Sequence, residues 1–420
     1  MSKQIFSAKA LSAVVRAGDS RQFDVDLKGA GAAIIQAASD EALKGAINLA
    51  NFKKTKLKGK ECVSYKEYST ALLLRVLTRY YTRRLRVSLR ARDRIVRGVI
   101  ETLLDGTPVY AVRRDITSFY ESVTVAPLRR KLLFEIPGSA LIRNYLKAYF
   151  KAHCETSERG LPRGVGLSAL LAEVSMREFD NKVRAIPGVY KYYRYSDDIL
   201  IFSTRPSKDL DAAIGQALPA GMQFNGKKSS ETLFPGKTKG PPTKQSLEYL
   251  GYNFTTHQLH DRDDSRVVRV SPSTRKLNKL KSRIVLSLLS HSKSPNWILL
   301  RDRCRFITCN FKVRRNGADV LKGGAHVYSG IYYNYKLSGN YSVKSGKLRA
   351  VPYDAAELKA LDGFYHSIIN LQIKHGKIVL SPAQIMRLKR FSFHKGYTLR
   401  IKGRFAADRV AFMKRAWRNV

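Results

Sequence analysis

Two adjacent carboxylates stand where simple folding would avoid them. Asp197 and Asp198 belong to Val189-Tyr190-Lys191-Tyr192-Tyr193-Arg194-Tyr195-Ser196-Asp197-Asp198-Ile199-Leu200-Ile201-Phe202, between an aromatic run and an aliphatic one. Such runs on either side of a Ser-Asp-Asp centre predict a β-hairpin. One Asp suits a turn. Two of them, hemmed in by apolar strands, repel each other, and each resists burial. A divalent cation removes the conflict, because Mg²⁺ takes hard oxygen ligands. A solvated Asp-Asp turn is the plain alternative for this stretch alone.

A third carboxylate has a matching position. Pro108 leads into a predicted strand, Val109-Tyr110-Ala111-Val112-Arg113-Arg114-Asp115-Ile116, and Asp115 stands near its end. Asp115 and Asp197 are 82 residues apart (197 − 115). If their strands are neighbours, the carboxylates meet and can hold two divalent ions. In-line phosphoryl transfer uses such a pair: one ion activates the attacking hydroxyl, the other steadies the leaving oxygen. The protein then supplies positioning rather than covalent chemistry.

Composition narrows the partners. The chain has 420 residues, 44% of them hydrophobic, enough for a substantial core in two or three domains. Lys and Arg number 77 against 33 Asp and Glu, a formal charge of +44. A polyanion such as RNA or DNA is the expected partner of that excess. The four cysteines (Cys62, Cys154, Cys304, Cys309) form no Cys-x-x-Cys pair, which argues against a zinc site and fits reduced thiols. Lys3 and Lys9 interrupt the first apolar residues, and no uncharged apolar run reaches membrane-spanning length. The expectation is a cytoplasmic protein with no membrane partner.

The elements around the carboxylates follow from periodicity. Gly29 to Ala42 reads as partly helical, and Lys53 to Lys60 as a basic, flexible boundary. Leu72, Leu73, Val76, Leu77 and Tyr80 recur at helical spacing. Arg84, Arg86, Arg90 and Arg92 then alternate with Leu85, Val87, Leu89 and Ala91, which predicts a strand with one guanidinium face. Such a face suits a triphosphate or a nucleic-acid backbone. Ile95 to Leu104 carries another helical stripe, ended by Asp105-Gly106. Helical segments are expected around Leu128–Phe134 and Leu141–Phe150. Gly160-Leu161-Pro162-Arg163-Gly164-Val165-Gly166-Leu167-Ser168 is a glycine-punctuated loop opening a helix, a place where backbone can approach a ligand. Asp261 to Ser265 reads as a charged domain break, Ser271-Pro272 as a helix start, and the remainder as mainly helical. A Tyr/Gly-rich patch stands out at Gly330-Ile331-Tyr332-Tyr333-Asn334-Tyr335.

The order of these pieces resembles the reverse transcriptase family. Asp115-Ile116-Thr117-Ser118-Phe119-Tyr120 is similar to motif A, Gly160 to Ser168 to motif B, and Tyr195-Ser196-Asp197-Asp198 to the Tyr-x-Asp-Asp of motif C. Asn225-x-x-Lys228-Ser229 resembles motif D, and Tyr249-Leu250-Gly251-Tyr252 motif E, the primer grip. The resemblance implies an α+β right-hand polymerase, with palm and fingers around an antiparallel sheet and a helical thumb and C-terminal domain. It implies an N-terminal extension over residues 1–60, fingers and palm over 61–255, and thumb and C-terminal region over 256–420. It further implies an RNA-directed DNA polymerase that uses dNTPs, two Mg²⁺ ions (with Mn²⁺ as a substitute), an RNA template and a DNA product.

Residue by residue, the resemblance assigns metal binding to Asp115, Asp197, Asp198 and the Ile116 carbonyl. Lys228 is the expected proton donor to pyrophosphate. Tyr120 matches the gate against a ribose 2′-hydroxyl, and Gly164 the position beneath the nascent base pair. Arg90 and Arg92 are the fingers arginines expected at the nucleotide. Arg163, Ser168, Tyr249, Leu250 and Gly251 are expected at template and primer. Motif B departs from the family pattern, with Arg163 in place of Gln and Ala169 in place of Pro.

Within the family, Leu161-Pro162-Arg163-Gly164 with Ser168 through Glu173, and Phe119-Tyr120-Glu121-Ser122, look most like bacterial defence-associated reverse transcriptases. The Tyr-rich patch suggests the type that works as one of two paired polymerases, so a second polymerase or accessory protein is a candidate partner. That likeness points to a noncoding RNA template and a role in antiviral defence. Two alternatives stay open: polymerisation without a conventional template, motivated by Arg163, and a silent RNA-binding scaffold.

Overall fold

The strand expected to end at Asp115 forms, and so does the hairpin expected to turn at Asp197. The computed structural model describes residues 2–16, 18–57, 59–87, 91–154, 158–236, 244–257, 266–314, 326–344 and 346–417. The chain is α+β, with helices and several antiparallel sheets. It divides into two units interleaved in sequence. The first comprises Met1–Ala91, Val109–Glu231 and Arg314–Ala325; the second comprises Arg92–Pro108, Thr232–Val313 and His326–Val420.

The first unit opens with helices, the longest being Gly31–Lys44, and continues into a hairpin of β1 (Phe52–Leu57) and β2 (Lys60–Tyr65). The basic run expected to be a flexible boundary is therefore largely strand. Its lysines and Thr55 point to solvent along an exposed edge, and charge at an edge does not oppose pairing. The site lies on β3 (Val109–Asp115), β4 (Val189–Tyr195) and β5 (Asp198–Ser203), antiparallel in the order β4-β5-β3. Ile199, Leu200, Ile201 and Phe202 of β5 are fully buried, as expected of a central strand covered on both faces. Helices Tyr68–Arg84, Ala140–Cys154 and Gly166–Ser175 contribute Leu72, Leu77, Leu146, Tyr149, Leu167 and Leu171 to the core beneath it. The strand β6 (Ser230–Phe234) carries the chain out of the unit.

The arginine strand does not form among the described residues. Arg84 ends the helix Tyr68–Arg84, Arg86 adopts φ 49°, and Arg92 begins a second helix, Arg92–Leu104. The helical stripe continues through buried Tyr81 and Leu85, so burial of those side chains overrides the short alternation. Arg90 lies outside the described residues. The segment read as helix around Leu128–Phe134 is helical at Val125–Arg130 and then widens into a π-turn at Lys131–Glu135.

The second unit holds β7 (Lys244–Tyr249), β8 (Tyr252–His257), β9 (Val268–Pro272), β10 (Asn310–Arg314), β11 (His326–Gly330), β12 (Gly339–Lys344), β13 (Lys347–Pro352) and β14 (Lys402–Gly403). Five of them make an antiparallel sheet in the order β13-β12-β9-β8-β7; three make a smaller sheet in the order β11-β10-β14. Its longest helices are Thr274–Lys293, Trp297–Thr308, Ala356–Lys374 and Arg92–Leu104. The described region after Pro272 is mainly helical, as expected, and also carries strands the sequence did not announce: Tyr341 and Val343 alternate with polar residues in a strand that pairs with both β9 and β13. Pro272 ends a strand, and the helix starts two residues later behind Ser273. The expected break at Asp261 to Ser265 lies outside the described residues. Among the described residues no helix is long and apolar enough to cross a membrane.

Candidate active site

Register decides which carboxylates meet. Asp115 on β3 is the direct cross-strand partner of Asp198 on β5, and Asp198 is also the partner of Tyr195 across the hairpin. The two-residue loop between them is Ser196-Asp197, with Ser196 at φ 58°. Beyond the strand ends, the Ile116 N–H donates to the Asp197 carbonyl at 3.1 Å. On its other side the same chain segment receives the stretch from Gln223 to Lys228: the Asn225 N–H donates to the Asp115 carbonyl (2.7 Å) and the Thr117 N–H to the Gln223 carbonyl (2.9 Å). Sequence positions 115, 197–198 and 223–228 therefore converge at one end of the sheet.

Cationic side chains compensate the carboxylates. Asp115 is only 6% exposed, and the Lys228 ammonium lies 2.8 Å from its Oδ2. Arg113 forks onto Asp198, Nε to Oδ1 at 2.9 Å and Nη2 to Oδ2 at 3.0 Å. Burial pushes the Asp198 carboxyl above its ordinary value; the Arg113 fork opposes this, and Asp115 and Asp197 add to it. The Asp197 carboxylate accepts no hydrogen bond from a described residue, and neither does the Ile116 carbonyl.

The donor chemistry fits a hard divalent cation. All candidate ligands are oxygens, and two of the three carboxylates already hold positive charge. Lys228 is half exposed, so it can leave Asp115 without unpacking the core. The fit is one of donor type: among the described residues no group of three or more His, Cys, Asp or Glu is assembled to hold a metal ion.

The glycine-punctuated loop is built against Tyr120 and β2. Leu161 N–H donates to the Tyr120 carbonyl (2.8 Å), and Val63 N–H to the Arg163 carbonyl (2.8 Å). Gly164 adopts φ 93°, and a Cβ there would collide with the Val63 carbonyl oxygen, so a side chain is excluded twice over. Arg163 forks onto Glu121, with Nε–Oε1 at 2.6 Å and Nη2–Oε2 at 2.9 Å. Its guanidinium also lies over the Tyr120 ring, 5.0 Å from the centroid. Glu121 is held below the usual carboxylate range, chiefly by that fork. Burial, with Glu173 second, raises the Tyr120 hydroxyl. Ser168, expected at the template, is fully buried with its hydroxyl 2.7 Å from that of Tyr149.

Sequence reasoning missed Arg194. Its side chain is 6% exposed and uses all its donors: Nε and Nη2 to Asp180 (2.7 and 2.9 Å), Nη1 and Nη2 to Glu173 (3.1 and 2.8 Å), and Nη1 to the Ser196 carbonyl (3.0 Å). Tyr192 adds its hydroxyl to Asp180 at 2.6 Å. A charged residue inside an aromatic strand was the available signal, since a buried guanidinium requires acids nearby.

The remaining expected site residues lie in the second unit. Tyr249 is buried and pairs with Tyr252, and Leu250 (φ 47°) and Gly251 (φ 79°) form the two-residue turn between them. Two successive positive φ values are those of a type I′ hairpin. Arg92 Nε donates to the Leu250 carbonyl at 2.8 Å, and its guanidinium covers the Tyr252 ring at 4.6 Å.

Residues 64–254 match the family model described as Reverse transcriptase (RNA-dependent DNA polymerase). A reverse-transcriptase-like domain is therefore present over that part of the chain. Among solved structures, telomerase from Candida albicans, in complex with a TWJ fragment of telomeric RNA, aligns at 12% identity with a TM-score of 0.32. That alignment covers 54% of this chain and 42% of the other, less than half of the telomerase chain's length. No curated protein matches the sequence.

Proposed function

We propose that this domain is an RNA-directed DNA polymerase, extending DNA from dNTPs by nucleotidyl transfer. The observation that carries the reading is the register pair Asp115–Asp198 with Asp197 in the adjoining turn, three carboxylates at one end of an antiparallel sheet. Asp115, Asp197, Asp198 and the Ile116 carbonyl would hold two Mg²⁺ ions, or Mn²⁺ in their place. When bound there, the metal supplies Lewis-acid activation of the attacking hydroxyl and neutralises charge at the leaving oxygen.

The chain's own residues do the rest. Lys228, hydrogen-bonded to Asp115, would serve as the proton donor to departing pyrophosphate. The Tyr120 ring, held under Arg163, blocks the space of a ribose 2′-hydroxyl. Arg113 keeps Asp198 oriented, and Arg194 keeps the turn in place. On this reading the β3–β5 sheet is the palm, the preceding helices belong to the fingers, and the helices after Pro272 to the thumb. A noncoding RNA template, a role in bacterial antiviral defence and a second polymerase as partner extend the same proposal.

Purified full-length protein incubated with dNTPs and Mg²⁺ tests it. DNA synthesis is expected, and RNase treatment beforehand should remove it. Synthesis that survives RNase would favour untemplated addition; no synthesis with Mg²⁺ or Mn²⁺ on any supplied RNA would leave a binding scaffold. Arg163 gives the untemplated reading little support, because its guanidinium is committed to Glu121.

A further inference from the structure

The Tyr/Gly-rich patch takes no part in the proposed chemistry, and its surroundings are specific. Gly330 ends β11 at φ 121°, where a Cβ would strike the Cys309 carbonyl oxygen. Asn310, fully buried on β10, accepts from the Tyr332 N–H at 2.8 Å through its side-chain oxygen. Its side-chain amide donates to the Gly396 carbonyl at 2.9 Å and the Ile401 carbonyl at 3.2 Å. One buried amide thus fixes the tyrosine turn against the segment that leads into β14.

That arrangement groups rings with cations. Tyr328 and Tyr333 stack with centroids 5.0 Å apart and planes 15° apart, and Tyr332 meets Tyr333 edge-on at 5.2 Å. Lys402 on β14 and Lys312 on β10 lie 4.9 and 6.0 Å from the Tyr328 centroid, and Arg400 lies 4.3 Å from that of Tyr332. The three cations are exposed and the rings half-exposed. Among the described residues none of the three cations forms an ion pair with a carboxylate. The chain supplies no Asp or Glu at all between Asp362 and Asp408.

We infer that Tyr328, Tyr332 and Tyr333 with Lys312, Arg400 and Lys402 form a binding platform for single-stranded nucleic acid, outside the reverse-transcriptase-like domain. Stacked, half-exposed aromatics accept bases of any sequence, and a cation beside each ring can take the adjoining phosphate. Charge complementarity selects an anionic occupant, and the rings select one with flat bases. An acidic peptide would use the cations and leave the rings idle.

The inference goes beyond the polymerase reading and is tested without metal or nucleotide, so either can fail alone. Full-length protein is irradiated with 5-iodouracil-substituted DNA and RNA oligonucleotides, and the crosslinked peptides are mapped. Crosslinks to Tyr328, Tyr332 or Tyr333 are expected; crosslinks confined to other segments overturn the inference. In parallel, Tyr328→Leu/Tyr333→Leu keeps apolar bulk but removes two π-faces. It should weaken oligonucleotide binding by roughly 5- to 150-fold, and unchanged affinity overturns the stacking role. Comparing DNA with RNA probes identifies the strand. Polyglutamate that displaces the oligonucleotide equally well from wild type and from the leucine variant would show a merely electrostatic patch and sink the inference.

Discussion

Arg194 donates to the Ser196 carbonyl at 3.0 Å, and so ties the turn carrying Asp197 to two helices at once. Its other donors are held by Glu173 on the helix Gly166–Ser175 and Asp180 on the helix Arg177–Ala185. The helix that follows the glycine-punctuated loop is therefore mechanically linked to the turn that carries Asp197. Lysine at position 194 keeps the charge but loses the planar fork. Arg194→Lys should lower kcat by about 100-fold through a misplacement of about 1 Å while the KM for dNTP stays nearly constant. Equal loss of activity and of correctly folded protein, with kcat per folded molecule unchanged, would reduce Arg194 to a packing role.

Asp197 and Asp198 should part company in stability. Either alanine substitution is expected to abolish incorporation. Asp197→Ala should leave the melting temperature close to wild type, because its carboxylate accepts no hydrogen bond from a described residue. Asp198→Ala removes the two charge-assisted hydrogen bonds of the Arg113 fork and should cost roughly 1.5–3 kcal/mol. Urea titrations of both variants measure the difference. Full activity in the double variant would end the polymerase reading.

The Arg163 fork predicts a defect in sugar selection. Tyr120→Ala should admit ribonucleotides by opening the space its ring fills. Arg163→Gln removes the guanidinium from the face of that ring and frees Glu121, yet leaves the carboxylates untouched. Metal-dependent synthesis should persist with partly relaxed rNTP rejection. Product sequencing alongside shows whether template use also broadens. Wild-type discrimination and identical products from Arg163→Gln would leave the residue a loop brace only.

Acid should weaken the first unit through His153. Burial, with Lys54 second, pushes its imidazole down to about 4 from an ordinary 6.5. It packs against Phe52 at 4.5 Å between centroids, and its Nε2 lies 2.5 Å from the Tyr65 hydroxyl. The unfolded chain takes up the proton first, so this stability is present above about pH 6.5 and lost as the pH falls toward 4. The loss should be roughly 2–3 kcal/mol at most, given partial exposure. Wild type minus His153→Gln, followed by denaturant unfolding between these pH values, isolates it. Parallel curves would disprove the assignment.

Nucleic-acid binding should be steeply salt-dependent, given the formal charge of +44. With about six to ten phosphates contacted, affinity should fall by roughly 10³ to 10⁵ between about 50 and 200 mM salt. A flat response would mean that these charges face another kind of partner.

Sequence alone disclosed the parts whose signals are local. Asp115 at a strand end and the Tyr195–Asp198 hairpin follow from alternation and turn chemistry, and both formed. The arginine alternation misled because its spacing also fits a helix end at Arg84, a positive-φ residue at Arg86 and a new helix start at Arg92. Lys53 to Lys60 reads as a flexible boundary because strand propensity is weak in lysine, whereas pairing of Phe52–Leu57 with Lys60–Tyr65 supplies what propensity does not. Partnerships such as Arg113–Asp198, Lys228–Asp115 and Arg194–Glu173 leave no local mark. They are set by which strands and helices become neighbours.

The interleaving of the two units constrains how the protein is made. The helix Arg92–Leu104 buries Ile95, Val96, Val99, Ile100 and Leu103 within the second unit, against β9 and β12. During N-to-C synthesis those strands emerge long after it, β12 only once Tyr341 has been added. At about 5–20 residues per second, the apolar stripe waits roughly 10 to 50 s for its partners. A nascent chain paused in that interval has its first unit able to close around the carboxylates and a greasy helix still uncovered. Translation speed and chaperone capture, rather than intrinsic stability, are then expected to limit the yield of this protein.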